Sequence, residues 1–361
     1  MMGRLLRQLS GLLVLNLLSK PVWVLAENAA QNHLGHAAWG RLAALMALAY
    51  IASPLIDLGT NQLLTRQVAA DPAQYGRTMG QVLGFKLVLV AAYGVLLGLL
   101  APLVLDLASD DVPLLAAASL VHIGLSYVLL WRSALQAHQH FGWDGLASVL
   151  DKVIFLAVLG LLFAWGFDLG TYVAALTGVT LVAAGGLAAL VWRRYGRVRV
   201  YLGWADVRQM AAGGLPFALL FVLSSLTERV GQVLLDPLAG EAASGLYAGA
   251  FRWYGAFSMY LWTVLPVLFA RFAQPQPPQQ AQALLEAGLA VVALPVLWVA
   301  AFIAWEAERL FFLFGGSSPA EIAQMATALR VLAVALAFNG LFNILSTWLT
   351  ATGRTRGVNY L

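Results

Sequence analysis

Long apolar stretches recur along the whole chain and are separated by short polar connectors. A helix needs roughly 20 mostly apolar residues to cross the hydrocarbon layer of a bilayer. Ten stretches meet this requirement, at about 8–28, 39–65, 79–105, 113–133, 144–166, 169–192, 211–235, 245–270, 284–305 and 322–350. The pattern predicts an all-α, polytopic membrane protein with ten transmembrane helices in this chain.

The amino-acid composition agrees with a membrane protein. The chain is 61% hydrophobic and 11% charged, whereas a soluble domain carries about 25% charged residues. It contains no cysteine, which excludes disulfides and thiolate metal sites. The formal net charge of +4 is dispersed over the connectors, so no nucleic-acid partner is expected. The first apolar stretch lacks a small-residue cleavage pattern, and we interpret it as a spanning helix and not as a signal peptide.

One polar stretch, 193–210, divides the chain. It contains the arginines Arg193, Arg194, Arg197, Arg199 and Arg208. Because short loops rich in arginine stay on the cytoplasmic side during insertion, we predict a cytoplasmic hinge here. The predicted domains are an N-lobe of six helices at 1–192, the hinge, and a C-lobe of four helices at 211–361.

Basic residues outside the spans are distributed unevenly between the two sides of the membrane. If the N-terminus is cytoplasmic, thirteen of the 21 basic residues lie on the cytoplasmic side. They are Arg4, Arg7, Arg66, Arg77, Arg132, the five hinge arginines, Arg271, Arg354 and Arg356. Only Arg41 and Arg309 lie on the outer side, which collects acidic residues instead. The positive-inside rule therefore predicts a cytoplasmic N-terminus.

An internal repeat links the two halves. A shift of 205 positions places Gly35, Ala37, Ala38 and Gly40 on Gly240, Ala242, Ala243 and Gly245. The first and seventh spans both start in the cytoplasm. We therefore predict two parallel, pseudo-symmetric six-helix lobes related by an axis along the membrane normal. The second repeat has only four helices before Leu361, which predicts that the full-length protein continues with further helices.

Glycine pairs and prolines in the spans predict helix contacts and bends. The glycine pairs spaced for close helix packing are Gly80 with Gly84, Gly94 with Gly98, and Gly245 with Gly249. Prolines in the first two spans of both repeats remove backbone hydrogen bonds and predict bending points or static kinks. These prolines are Pro21, Pro54, Pro216 and Pro266.

Nine ionisable residues are assigned to the interior of the predicted spans and to neither side of the membrane. They are Lys20, Lys86, Lys152, Arg229, Arg252, Arg330, Asp57, Asp151 and Glu228. A charge at the bilayer centre costs about 2.5–3.5 kcal/mol, so these side chains should face protein or water. Pairing or snorkelling is the structural alternative, above all for Lys86 and Lys152. A cationic cavity between the lobes is the functional one, and it suits a phosphorylated substrate.

Motifs of enzymes and of metal sites are weak or missing in the sequence. It has no Gly-x-x-x-x-Gly-Lys phosphate loop and no His-Glu-x-x-His. Two histidine pairs, His33 with His36 and His138 with His140, lie in predicted connectors, where they either bind a metal or are incidental. We therefore predict a transporter with no catalytic residue, metal or cofactor.

Three segments carry a resemblance to a known family. They read LLVLNLLSKPVWVLAEN at 12–28, LIDLGTNQLLTRQVA at 55–69 and DPLAGEAASGLYAGAFR at 236–252. These segments resemble the polysaccharide and O-antigen flippases of the multidrug, oligosaccharidyl-lipid and polysaccharide (MOP) exporter superfamily. The resemblance implies a MATE-like fold with a central cavity.

The same resemblance implies a function and a site. It implies that the protein moves an undecaprenyl-diphosphate-linked oligosaccharide from the inner to the outer leaflet of a bacterial cytoplasmic membrane by alternating access. The substrate-binding cations would be Lys20, Arg229, Arg252, Lys86, Lys152 and Arg330. The coupling or charge-balancing acids would be Asp57, Glu228 and Glu27. Membrane lipid and glycan polymerase or assembly proteins are the further implied partners.

Other functions stay open at this point. A drug or cation antiporter of the same superfamily would use acidic cavity residues, for which Asp57 and Glu228 are the candidates. A membrane glycan polymerase or glycosyltransferase would need a long outer loop, and every outer connector is short. A structural partner in a glycan export complex is the third alternative.

Overall fold

The computed structural model describes residues 22–272, 277–312 and 314–352, and within these ranges the chain is helical without a β-strand. The first helix, α1, covers 22–34. The other α-helices are α2 (His36–Ala52), α3 (Pro54–Asp57), α4 (Thr60–Ala70), α5 (Tyr75–Val104), α6 (Asp111–Ala137), α7 (Phe141–Trp165), α8 (Leu169–Tyr195), α9 (Trp204–Ala239), α10 (Glu241–Phe272), α11 (Pro278–Glu306) and α12 (Pro319–Ala351). Short 3-10 helices lie at Pro72–Gln74 and Ala307–Phe311. The all-α prediction is confirmed.

Seven helical segments in the described part of the chain are long and apolar enough to cross a membrane. They are His36–Ala70, Pro72–Val104, Asp111–Ala137, Gly142–Trp165, Leu169–Tyr195, Gln279–Phe311 and Pro319–Ala351. Two further long helices, α9 and α10, have 36 and 32 residues. Their interiors carry Glu228, Arg229 and Arg252. The chain is therefore a multi-pass membrane protein.

The helices form two compact units. The first unit contains Leu34–Gly245 and the described residues up to Ala26; the second contains Glu27–His33 and the described residues from Leu246 onwards. Two buried apolar clusters hold the first unit together. One joins α2, α5, α6 and α9, and the other joins α4, α5, α6 and α8. In the second unit, two clusters join α10, α11 and α12.

The junction between α1 and α2 is shorter than the sequence predicts. α1 continues to residue 34 and α2 begins at His36, so Gly35 alone separates them. Gly35 has a φ of 85°, in the left-handed region that glycine adopts without steric cost. The first helix therefore does not end at residue 28, because one glycine is enough to redirect the chain. Glu27 and His33 are helical residues and not connector residues.

The second predicted span, 39–65, is broken near its middle. α2 ends at Ala52, and Ser53 alone separates it from Pro54, the first residue of α3. The single turn of α3 is followed by α4. Leu58 and Gly59 between α3 and α4 both have positive φ, at 40° and 75°. The bend predicted at Pro54 is thus confirmed, with a physical cause in the hydrogen bond that proline cannot donate.

The other three prolines of the predicted bending set behave differently. α9 continues as a helix through Pro216, and α10 continues through Pro266. Neither proline ends its helix, and a bend at these two positions stays a prediction. Pro21 lies outside the described residues.

The connector between α8 and α9 lies against glycines of α5. The amide of Tyr201 donates to the carbonyl of Gly80 over 3.0 Å. A Cβ atom on Gly84 would lie 1.8 Å from the Tyr201 carbonyl oxygen, which no real side chain tolerates. This glycine pair was predicted as a helix–helix contact, and that prediction is wrong because it receives the extended connector backbone instead. The connector itself covers only 196–203, within the predicted hinge.

The other two predicted glycine pairs differ in their contacts. No described atom lies within 4 Å of a Cβ atom built on Gly94 or on Gly98. Among the described residues, this pair therefore makes no helix contact. By contrast, Gly249 faces the Met325 sulfur at 3.3 Å from a built Cβ, so α10 packs closely on α12 there.

Gly40 and Gly245 form a reciprocal contact. A Cβ atom on Gly40 would lie 1.9 Å from the carbonyl oxygen of Glu241, and one on Gly245 would lie 1.8 Å from that of His36. Both pairs are related by the same shift, since 245 − 40 and 241 − 36 both equal 205. The starts of α2 and α10 therefore cross as equivalent elements of a two-fold repeat. The predicted pseudo-symmetry is confirmed at this crossing.

Candidate functional site

The predicted site residues are divided between the two units. Lys86, Lys152, Arg229, Asp57 and Glu228 belong to the first unit, and Arg252, Arg330 and Glu27 belong to the second. Lys20, the predicted cation of the first span, lies outside the described residues. A single cavity lined by all of these side chains therefore stays a prediction, and the charged sites are described unit by unit.

Lys86 is the most deeply buried cation among the described residues of the first unit. Its side chain is 0% exposed and forms an ion pair with Asp57. The bend between α2 and α4 places Asp57 next to this lysine of α5. The same carboxylate accepts hydrogen bonds from Ser126 at 2.9 Å and from Asn61 at 3.3 Å. The predicted alternative that Lys86 snorkels to the cytoplasmic surface is therefore wrong, because the ammonium is held by a partner inside the protein.

A second charged group lies between α9 and α2. The Arg229 guanidinium sits over the Tyr50 ring at 5.1 Å, and its Nε lies 4.0 Å from a Glu228 carboxylate oxygen. The Tyr50 hydroxyl donates to Glu228 over 3.3 Å. The side chains of Arg229 and Glu228 are 34% and 47% exposed. This Arg229 group is therefore the loosest of the ion pairs that involve a predicted site cation in the first unit.

In the second unit, α1 holds Arg252 of α10. Arg252 Nε lies 2.9 Å from Glu27 Oε2. Its Nη1 donates to Gln31 over 3.1 Å and also to Asn28. Asn28 and Gln31 are fully buried, so the arginine is enclosed by polar groups that complement it. The acid that sequence analysis proposed for charge balance, Glu27, is thus in contact with a predicted substrate cation.

The two remaining predicted cations contact backbone carbonyls near helix ends or turns. Lys152 donates to the carbonyl of Ser148, one turn earlier in α7. Arg330 of α12 donates to the Ala304 carbonyl at 3.2 Å and lies 3.4 Å from Glu308. The side chain of the span acid Asp151 lies outside the described residues.

Sequence reasoning missed the most extensive ionic group of the first unit. Arg41 of α2 donates from Nε to Asp111 at 3.0 Å, from Nη2 to the Asp106 carbonyl at 2.9 Å, and from Nη1 to Asp236. These residues were predicted as separate outer-side charges. Their opposite signs at the ends of α2, α6 and α9 that are predicted to face outward were the available signal, but only the fold brings them together. We call Arg41, Asp111 and Asp236 the outer ionic group.

In the predicted pair of His138 and His140, both rings contact Tyr195. His140 accepts or donates at Nδ1 with the Tyr195 hydroxyl, and His138 stacks on the Tyr195 ring at 3.9 Å. No group of three His, Cys, Asp or Glu side chains suited to a metal exists among the described residues. Burial lowers the pKa of His140, and the nearby charge of Arg194 lowers it further.

Four of the predicted site cations lie next to an acid. Lys86, Arg229, Arg252 and Arg330 each have a carboxylate within salt-bridge distance. Such pairs remove most of the cost of keeping a charge inside the membrane. A phosphorylated ligand would therefore bind by replacing a carboxylate next to an arginine or lysine. The two partly exposed pairs, Arg229 with Glu228 and Arg330 with Glu308, give way more easily than the buried pairs of Lys86 and Arg252.

Comparison with known proteins decides the family. A profile described as "Polysaccharide biosynthesis protein" matches residues 5–276. The chain belongs to this family. No curated protein sequence matches the chain significantly. The resemblance that the sequence segments suggested is confirmed at the level of the family.

Solved structures show which fold this polysaccharide biosynthesis family protein shares. An inward-facing multidrug resistance MATE family transporter of the MOP superfamily aligns with a TM-score of 0.61 and 16% identity, over 93% of this chain and 82% of the other. An outward-facing MATE family structure gives 0.55 and 18%, over 95% and 83%. A MOP superfamily transporter from Pyrococcus furiosus, whose structure is described by a reverse polarity of its binding pocket, gives 0.50 and 16%, over 97% and 83%.

The family and the fold agree. The polysaccharide biosynthesis family protein shares the helical fold of MOP superfamily transporters. The outer ionic group and the Arg229 group lie on helices of that architecture, at the positions given above.

Proposed function

We propose that this polysaccharide biosynthesis family protein is a flippase for an oligosaccharide linked to a polyprenyl diphosphate. The substrate would move from the inner to the outer leaflet of a bacterial cytoplasmic membrane, and the N-terminus would lie in the cytoplasm. The observation that carries the proposal is Arg229, a cation in the interior of α9 whose side chain stays 34% exposed.

An exposed arginine inside a spanning helix needs a polar neighbour or a ligand. A charge that faced lipid at the bilayer centre would cost about 2.5–3.5 kcal/mol. Arg229 is also held by the ring face of Tyr50 at 5.1 Å, a contact that orients the guanidinium without neutralising it. Guanidinium groups bind phosphate oxygens through two parallel hydrogen bonds. A diphosphate is therefore the ligand class that fits Arg229.

The ion pairs of the other predicted site cations favour Arg229 as the contact. Arg330 is also partly exposed, but it lies closer to its acid, at 3.4 Å, and donates to the Ala304 carbonyl as well. Arg252 is enclosed by Glu27 at 2.9 Å and by buried amides, and Lys86 is fully buried with Asp57. Displacing those carboxylates would leave buried charges without partners, which is costly. Displacing Glu228 from Arg229 costs less, because the two are 4.0 Å apart and Glu228 is 47% exposed.

The membrane potential favours the proposed direction. A diphosphate carries about two negative charges, and each charge gains about 2.3 kcal/mol when it moves outward across 100 mV that is negative inside. Transport would thus be downhill by about 4–5 kcal/mol per 100 mV if the diphosphate crosses the full field alone. Rocking of the two predicted lobes would expose the site alternately to each side.

The test compares two arginines of different exposure. Arg229→Gln should weaken binding of a polyprenyl diphosphate about 10- to 150-fold, because one charge-assisted contact contributes about 1.5–3 kcal/mol. It should also abolish export of the lipid-linked glycan at equal protein level. Arg309→Gln is the matched control, since Arg309 is 83% exposed and pairs with Glu306. Full export by the Arg229→Gln variant would disprove the proposal.

An antiporter of drugs or cations is the second candidate, and the exposure of Glu228 favours it. An antiporter needs an acid that binds the cationic substrate or a coupling ion, so Glu228→Gln should abolish transport. In a flippase, the same variant should tighten diphosphate binding, because a competing carboxylate is removed from Arg229. Binding assays with undecaprenyl diphosphate and with a cationic dye, on both variants, separate the two functions.

A further inference from the structure

The end of α8 and the following connector carry arginines without acidic partners. We call Arg193, Arg194, Arg197 and Arg199 the basic rim. All four are exposed. No carboxylate whose side chain is described lies within 4.0 Å of any of them. The acid at the nearby start of α7, Asp144, is already bound to Arg132 at 2.6 Å and to Gln136 at 3.0 Å.

Many cations of the described chain have an acidic partner, and the basic rim does not. Carboxylates within salt-bridge distance are found for Arg41, Lys86, Arg132, Arg229, Arg252, Arg309 and Arg330. Insertion topology alone explains why arginines are present in this connector. It does not explain why four exposed arginines fall within the seven residues 193–199 with no described carboxylate next to any of them. The exposed Arg66 and Arg77 also have no such carboxylate, but they lie eleven residues apart and form no cluster. The counter-charge is therefore expected from outside the chain.

Aromatic and apolar side chains surround the basic rim. Trp192 precedes it and is 38% exposed, Trp143 of α7 is 41% exposed, and Trp204 at the start of α9 is 78% exposed. Leu202 in the connector is 62% exposed. Tryptophan is enriched where helices meet the headgroup layer, because its ring is apolar with one polar edge. This mixture suits a membrane surface better than it suits a soluble anion.

The structure also holds part of the basic rim in place. The Arg194 guanidinium lies 5.8 Å from the centre of the Trp143 ring, and its Nη2 lies 3.2 Å from His140 Nε2. The Arg199 backbone is fixed by its close approach to Gly80 of α5. Neither contact neutralises the arginines, so their donors remain oriented for a phosphate.

We propose that the basic rim, with Trp143 and Trp192, is a binding site for the headgroups of anionic phospholipids in the leaflet that faces the cytoplasmic ends of α7 and α8. The ligand is a phosphodiester on a membrane lipid, such as phosphatidylglycerol. The site is separate from the Arg229 group, and it does not depend on the identity of the transported substrate.

Binding is tested on the purified full chain in nanodiscs. The parent should retain phosphatidylglycerol in preference to phosphatidylcholine, measured by native mass spectrometry of the released complexes. The Arg193→Gln/Arg194→Gln variant should bind phosphatidylglycerol about 25-fold more weakly, since each surface arginine contributes about fivefold. Increasing salt should reduce the difference, because surface charges are screened.

The matched control is Arg66→Gln/Arg77→Gln. Both arginines are exposed and were predicted on the same side of the membrane, but neither belongs to the basic rim. This control should keep the parent's affinity. A loss as large as that of the Arg193/Arg194 variant would show diffuse charge attraction and would overturn the proposal. So would equal binding of both lipids by the parent. Orientation of each variant is checked with a reporter at the C-terminus, so that an insertion defect is not mistaken for lost binding.

A second measurement separates lipid from free anion. Inorganic phosphate at the same concentration should not displace phosphatidylglycerol, and displacement would contradict a lipid site. In histidine NMR spectra, phosphatidylglycerol should raise the pKa of His140, because a headgroup phosphate cancels the charge of Arg194 next to it. Phosphatidylcholine should leave that pKa unchanged.

Discussion

Replacement of Arg41 tests the outer ionic group, because it would leave two acids inside the first unit without their main partner. The Arg41 side chain is 10% exposed, and those of Asp111 and Asp236 are 11% and 3% exposed. Asp111 keeps one hydrogen bond after the change, from the Ala108 amide at 2.8 Å. Arg41→Met should therefore destabilise the protein by about 3–5 kcal/mol, the range found when one partner of a buried ion pair is removed.

The matched control is again Arg309→Gln. Arg309 pairs with Glu306 at 3.0 Å, but its side chain is 83% exposed. An exposed pair contributes about 0–1 kcal/mol. In a protein of this size, about 2 °C of melting temperature corresponds to 1 kcal/mol. Thermal unfolding in detergent should therefore show a fall of about 6–10 °C for Arg41→Met and of 2 °C at most for the control.

A triple variant separates lost attraction from buried charge. In Arg41→Met/Asp111→Asn/Asp236→Asn, no charge of the outer ionic group remains buried, so the melting temperature should recover by at least half of the Arg41→Met loss. If Arg41→Met unfolds within 2 °C of the control, or if the triple variant is less stable than the single one, the reasoning from buried charge is refuted.

Three further outcomes are expected. Lys86→Met should lower the melting temperature by a similar 6–10 °C, and Asp57→Asn in the same chain should restore part of it, as thermal unfolding will show. Gly84→Ala should push the connector off α5 and speed its cleavage by trypsin several-fold, since the new Cβ would lie 1.8 Å from the Tyr201 carbonyl oxygen. Because the pKa of His140 is lowered, the unfolded chain binds the extra proton, and stability should fall as pH drops below about 6.5. In His140→Asn, this part of the loss between pH 7.5 and 5.5 should disappear from melting curves.

The helices were predictable because the membrane imposes a simple rule on the sequence. Each span must be apolar over about 20 residues, and the described helices follow the predicted spans in order. Helix ends followed less simple rules. Gly35 alone separates α1 from α2, whereas Pro216 left α9 unbroken. Whether one glycine or proline redirects a helix depends on neighbouring helices that supply or block alternative contacts, and the local sequence does not contain that information.

The partners of charged residues were harder to predict than the residues themselves. The cost of burying charge marked Lys86, Arg229 and Arg252 from the sequence alone. The acids of Lys86 and Arg252 come from other helices, at a sequence separation of 29 for Asp57 with Lys86. Arg41 was assigned to the outer side without a partner, because its acids lie 70 and 195 residues away. The glycines at 80 and 84 were read correctly as a close contact, but the contacting element was a connector that has no periodic pattern.

Arg41 makes more hydrogen bonds to the acid of the first predicted repeat than to that of the second, and this difference bears on the proposed transport cycle. Two of its nitrogens donate to Asp111, which belongs to the first predicted repeat, and one donates to Asp236, which belongs to the second. If the predicted outer ends of the repeats separate during transport, Arg41 loses Asp236 and the half-exposed Glu241, whose carboxylate lies 3.9 Å from Nε. Arg41 would keep the bidentate pair that neutralises it, so opening leaves one carboxylate to be hydrated at the outer surface and no cation unpaired in the membrane. The Gly40–Gly245 crossing, one residue from Arg41, would open at the same time. The two backbones meet there by van der Waals contact. The hydrogen bond from the Ser244 hydroxyl to the Gly40 carbonyl would then have to be replaced.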